Sequence, residues 1–162
     1  MAYDSTTKCI NFLNDSVPGA SGAQQITTGS SWSAREALTF EAPDCATFNC
    51  GLNEMHGNQP VANLTNAISA FVTATRASGD PLIIFPHPTD PTYNNGLTAS
   101  YHSAVKSQCS TLGVAFLSLY EYYGSAYDAT FAPRLRDGIH PMAPLYAEIA
   151  GIEKQALLAM AA

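Results

Sequence analysis

The chain has 162 residues, 46% of them hydrophobic, and a formal charge of −6. That length suits one domain, residues 1–162, with a core of its own. Only seven Lys and Arg stand against thirteen Asp and Glu, too few cations to neutralise a phosphate backbone, so no nucleic-acid partner is expected. No apolar run is long enough to span a membrane, and MAYDSTTK lacks the charged-then-apolar layout of a signal peptide. The four cysteines, Cys9, Cys45, Cys50 and Cys109, have no zinc-type spacing and are too scattered for a disulfide framework. Buried free thiols are the expectation.

In chain order, Cys9-Ile10-Asn11-Phe12-Leu13 reads as a short strand that breaks into a loop through Pro18, Gly19 and Gly22. Residues 23–33 are small and polar and read as loop. Ser33 with Glu36 three residues on is a capping-box pattern that opens a short helix ending before Pro43. Cys45–Cys50 is a second strand running into Gly51-Leu52-Asn53-Glu54. Pro60 opens a helix whose apolar positions Val61, Leu64, Ile68, Phe71 and Val72 recur at helical spacing, with Gly79-Asp80-Pro81 as its stop.

Leu82-Ile83-Ile84-Phe85 is a continuous apolar run, the pattern of a strand buried on both faces. A rigid Pro86-His87-Pro88 loop follows, then a helix from about Leu97 to Thr111 that Gly113 ends. Val114–Leu117 is the fourth strand. Leu119–Tyr127 is Tyr-rich and helical before Gly124. A final helix begins near Pro144 with the stripe Leu145, Ile149, Ile152, Ala156 and Leu157. Strands alternating with helices define an α/β fold: three layers, a mostly parallel sheet with helices on both faces. Ligands of such sheets bind beyond the carboxyl ends of the strands. Ser16, Asn53, His87 and the Asp137–His140 pair would all lie on that edge.

Arg136-Asp137-Gly138-Ile139-His140-Pro141 places a carboxylate and an imidazole three residues apart on a loop before a helix. A carboxylate that holds one ring nitrogen leaves the other to take a proton from a nucleophile. DGIHPMAPLYAEIA resembles the last block of the SGNH (GDSL-type) esterases and lipases, and Gly51-Leu52-Asn53-Glu54 is similar to their GxND block, with Glu in place of Asp. That resemblance implies an oxyanion role for the Asn53 amide, a base role for His140 and an orienting role for Asp137.

The N-terminal part departs from the family pattern, and two readings stand. In one, Ile10–Ser16 matches the GDS block with Asn14 in place of Gly, so that Ser16 is the nucleophile and Gly22 or Gly29 the second oxyanion donor. In the other, Asn14–Gly22 matches the family's Gly block, Gly19 or Gly22 is the donor, and the serine block is missing. Asp4-Ser5-Thr6 also resembles GDSxT, but no strand precedes it. A βαβ crossover needs at least about 10–12 residues with its helix, so about one strand–helix unit of the family fold is absent or shortened. Ser16 is the preferred nucleophile because a first strand near residue 8 would precede it.

The resemblance implies hydrolysis of short-chain esters, such as acetyl groups on carbohydrate, with no metal and no cofactor. The expected partner is a small ester or acylated carbohydrate. His56 and His87 fall on loops at the predicted active edge as substrate contacts, while His102, inside a helix, reads as structural or exposed. The tyrosines at 120, 122, 123 and 127 divide between core and rim. The alternative is a catalytically incomplete SGNH-like domain that binds or assembles, or that takes its serine from another chain.

Overall fold

The computed structural model describes residues 19–26, 34–88, 96–124 and 130–161. In chain order the elements are α1 (Gly22–Ile26), α2 (Ala34–Glu41), β1 (Cys45–Asn49), α3 (Leu52–His56), α4 (Val61–Thr75), β2 (Asp80–Phe85), α5 (Leu97–Leu112), β3 (Ala115–Ser118), α6 (Leu119–Tyr122), a 3-10 turn at Ala132–Arg134, and α7 (Ala143–Met160). Among the described residues the sheet has three parallel strands in the order β1-β2-β3. Thr47 lies opposite Leu82, and Ile84 opposite Leu117. Parallel neighbours need a crossover, and α4 and α5 supply the two crossovers.

The central strand β2 explains the layers. Its side chains alternate between faces, and both faces are covered. Ile83 and Phe85 join Phe48, Leu64, Ile68, Phe71 and Val105 in a core beneath α4 and α5, which Ile26 and Leu38 extend under α1 and α2. Leu82 and Ile84 point the other way, into a second core with Leu119, Phe131, Leu135, Leu145 and Ile149 beneath α7. Each such fully buried side chain stabilises the fold by roughly 1.5–3 kcal/mol.

Three expectations change. Residues 22–26 are helical rather than loop: α1 packs on α4, with Gly22 and Ile26 buried. β2 begins at Asp80, two residues before the apolar run, and Pro81 pairs opposite Ala46 in the first turn of the ladder, where a missing N–H is tolerated. Val61 sits at the exposed start of α4, whereas Leu64, Ile68, Phe71 and Val72 are buried. The strand read at residues 9–13, the Ser33 cap, the residues 89–95 and Tyr127 lie outside the described residues. No helix among the described residues is long and apolar enough to cross a membrane.

Candidate functional site

The loop between the 3-10 turn and α7 is a tight hairpin. Leu135 and Pro141 form an antiparallel bridge. The Arg136 amide donates to the His140 carbonyl (2.8 Å) and the Met142 amide to the Arg134 carbonyl (2.9 Å). Gly138 at the tip has φ +82°, a conformation that suits glycine. Asp137 organises the turn: its Oδ1 accepts from the amides of Ile139 (3.2 Å) and His140 (2.8 Å), and its Oδ2 faces His140 Nδ1 at 2.8 Å. A carboxylate on Nδ1 fixes the proton there, so the lone pair of neutral His140 sits on Nε2. The His140 amide, the His140 ring and the Ile139 amide together hold the Asp137 carboxyl at about 2, below its ordinary 3.8. Both side chains are about half exposed, so the pair stands at an open surface.

Arg134, at the stem of the hairpin, stacks over Tyr123 (5.5 Å) and Phe131 (5.7 Å) and pairs with Glu148 on α7. Burial, and then the Glu148 carboxylate beside it, push the Tyr123 hydroxyl well above its ordinary value. This aromatic and ionic anchor ties the hairpin to α7. Sequence reading missed it, although Arg134 and the Tyr-rich segment were both visible.

Asn53 and Glu54 are adjacent on α3, just beyond the end of β1. Gly51 before them has φ +111°, and a Cβ there would meet Leu64 and Phe85 at 3.2 Å. The Asn53 amide nitrogen donates to the Ala20 carbonyl at 2.8 Å. The Glu54 carboxylate, 1% exposed, accepts the Gly22 amide. The two side chains therefore grip the same Gly-rich turn two residues apart. A shallow depression of about 70 Å³ lies between them, lined by Ala20, Gly22, Gln25, Asn49 and Asn53 among others. The Gly22 N–H is turned to Glu54. Gly19, exposed with φ +75°, stands at the outer end of the same turn.

His56 is the last residue of α3 rather than a loop residue. His87 follows β2, is 6% exposed, contacts the Pro88 carbonyl through Nδ1 at 2.9 Å and packs against Phe131. Burial, helped by the nearby positive form of His140, lowers both histidines. His102 is buried, not exposed: it lies among Phe85, Phe116 and Tyr120, with Nε2 2.9 Å from Ser118 Oγ. Among the described residues no group of three or more His, Cys, Asp or Glu side chains could hold a metal ion. Cys50 and Cys109 are buried free thiols, and Cys45 is half-buried. Ser5, Ser16 and Gly29 lie outside the described residues.

Several solved structures share this fold. An acylhydrolase-designated protein of Bacteroides fragilis superposes with TM-score 0.70 at 18% identity, over 88% of this chain and 72% of that one. A GDSL-like lipase of Bacteroides thetaiotaomicron gives 0.69 at 16% identity, over 88% and 73%. A protein of Lactobacillus plantarum gives 0.66 at 20%, over 83% and 76%. No family model and no curated protein matches the chain. The fold is that of the SGNH (GDSL-type) hydrolases, shortened relative to these neighbours.

Proposed function

We propose that the chain is a serine esterase of SGNH type that hydrolyses short acyl esters. The observation that carries this reading is the Asp137–His140 pair, whose carboxylate fixes the proton on Nδ1 and leaves Nε2 as a base. His140 takes the proton from a serine hydroxyl, which attacks the ester carbonyl. His140 passes that proton to the alcohol oxygen as the ester C–O bond breaks, and the alcohol leaves an acyl-enzyme. Water that His140 deprotonates then opens it, releasing the acid and returning the proton to the serine. Ser16 is the serine we assign to this role. Negative charge grows on the carbonyl oxygen during attack, and Asn53 answers it. One N–H of its amide is engaged by Ala20, which sets the plane of the group and leaves the second N–H for the oxyanion. One such donor contributes on the order of 3 kcal/mol to the barrier.

Gly29, the donor that goes with Ser16 as nucleophile, supplies the second N–H in this proposal, and His56 and His87 are substrate contacts. The resemblance to the SGNH family favours a short acyl group, and the depression beside Asn53 is lined by small and polar residues, Ala20, Gly22, Asn49 and Asn53 among them. Acetylated carbohydrate is the substrate class we favour.

The test is hydrolysis of p-nitrophenyl acetate against p-nitrophenyl palmitate. The acetate is expected to turn over and the palmitate not, with His140→Ala lowering kcat by at least about 10³-fold and Asn53→Ala by roughly 10²–10³-fold. Unchanged turnover in His140→Ala would sink the reading.

A second reading has its own support. The chain spans 72–76% of the neighbours' lengths, so a domain that takes its serine from another polypeptide also fits. A second chain that restores turnover to an inactive preparation would favour it.

A further inference from the structure

We infer that Glu54 is a positioning residue: its carboxylate holds the Gly19–Gly22 turn at the distance from Asn53 that the oxyanion site requires. The inference rests on the esterase reading for its catalytic consequence, and on geometry alone for the clamp itself.

Glu54 is a carboxylate at 1% exposure in the described structure, and such a group is costly to bury unless it is hydrogen-bonded. It accepts a hydrogen bond from the Gly22 amide, 32 residues earlier in the chain. Gly22 is the first residue of α1. The first amides of a helix have no acceptor within the helix, so Glu54 satisfies one that would otherwise be an orphan. The neighbouring Asn53 binds Ala20 on the same turn. Two consecutive side chains of α3 thus fix the turn at two points: a carbonyl held by an amide, and an amide held by a carboxylate.

The fit is close. A Cβ on Gly22 would stand 3.1 Å from Glu54 Oε1, 3.1 Å from Phe48 and 3.3 Å from Ala67. The charge of Glu54 is also felt by its neighbours, adding to the effect of burial in raising Cys50 and Tyr101. The length of the side chain matters here. Aspartate at this position is one methylene shorter and would fall short of Gly22 unless the turn moved toward α3. Any such movement would carry the Ala20 carbonyl and the Asn53 amide with it.

The experiment compares Glu54→Gln, Glu54→Asp and Glu54→Ala in the full chain, with two readouts. The first is amide hydrogen exchange at Gly22 followed by NMR. Glutamine keeps both the length and an acceptor oxygen, so protection persists in Glu54→Gln. In Glu54→Asp and Glu54→Ala it falls by about tenfold or more, since no helical bond shelters that amide. The second is p-nitrophenyl acetate hydrolysis. Displacing an oxyanion donor lowers kcat by roughly 10- to 100-fold in Glu54→Asp while KM stays within about twofold, and Glu54→Gln restores it. Equal loss in Glu54→Gln and Glu54→Ala would overturn positioning in favour of charge. Undiminished Gly22 protection in Glu54→Asp would overturn the clamp. If Glu54→Ala does not fold, Glu54→Asp decides. A wild-type chain that hydrolyses nothing sinks the esterase reading; Gly22 exchange then decides the clamp alone, with loss of protection in Glu54→Asp supporting it and retention overturning it.

Discussion

At the scale of single residues, Asp137 does two jobs with one carboxylate. It closes the turn through two backbone amides and orients an imidazole through its other oxygen. Its folded value of about 2 lies below the ordinary 3.8, so its contribution to stability is present above 3.8 and is lost as pH falls through about 2. The side-chain carbon of Asp137 should therefore titrate near pH 2 by NMR. His140→Ala should raise that midpoint only part of the way, because the His140 amide, the larger cause, survives the substitution. A midpoint unchanged by the substitution would mean that the ring is not held. Asp137→Asn should keep the turn but favour the wrong tautomer, lowering esterase kcat by roughly 10²–10⁴-fold. This pair was legible in the sequence because its members are three residues apart on one loop. Glu54 was seen only as a departure from a motif, because its partner Gly22 lies 32 residues away and no local pattern joins them.

At the scale of elements, the strands and long helices could be read because their burial follows period. The run Leu82–Phe85 is buried throughout, and α4 buries Leu64, Ile68, Phe71 and Val72 at the spacing that its sequence displays. The short helix α1 could not be read that way. Its sequence GAQQI carries one large apolar residue, and a helix of 5 residues is not stable by itself. Ile26, packed in the core beside α4, and the Glu54 contact at Gly22 hold it in place.

The joint between α4 and β2 is equally specific. A Cβ on Gly79 would lie 2.1 Å from the Pro43 carbonyl oxygen and 2.4 Å from that of Asp44, and the contacts are backbone, so neither can swing aside. Gly79→Ala should cost roughly 3 kcal/mol, the upper end of the range for overpacking, in urea denaturation. Phe85→Ala, which empties a fully buried ring site between α4 and α5, should cost about 3–5 kcal/mol. A loss below about 1 kcal/mol in Gly79→Ala would show that the joint yields.

At the scale of the whole molecule, two cores flank the sheet, and histidines cluster on or beside its carboxyl edge. His56, His87 and His102 are all lowered, chiefly by burial. The unfolded chain then binds protons that the folded chain resists, so stability is full above the ordinary 6.5 and falls as pH drops below it. The urea midpoint should decline between pH 7 and pH 5, and His102→Gln should flatten that decline. Equal slopes in the two proteins would remove His102 from the cause.

The overall layout could be read from alternating strands and helices, and the neighbouring folds agree with it at 16–20% identity. What could not be read is where the nucleophile comes from, since one alignment of residues 10–22 makes Ser16 the nucleophile and the other leaves the serine block out of the chain. The most direct measurement is a fluorophosphonate probe applied to the purified, folded chain, with the modified residue located by mass spectrometry and His140→Ala as control. The expected result is label on Ser16 that disappears in His140→Ala. No label on a chain that is folded by circular dichroism would contradict autonomous catalysis and leave a module whose serine must come from elsewhere.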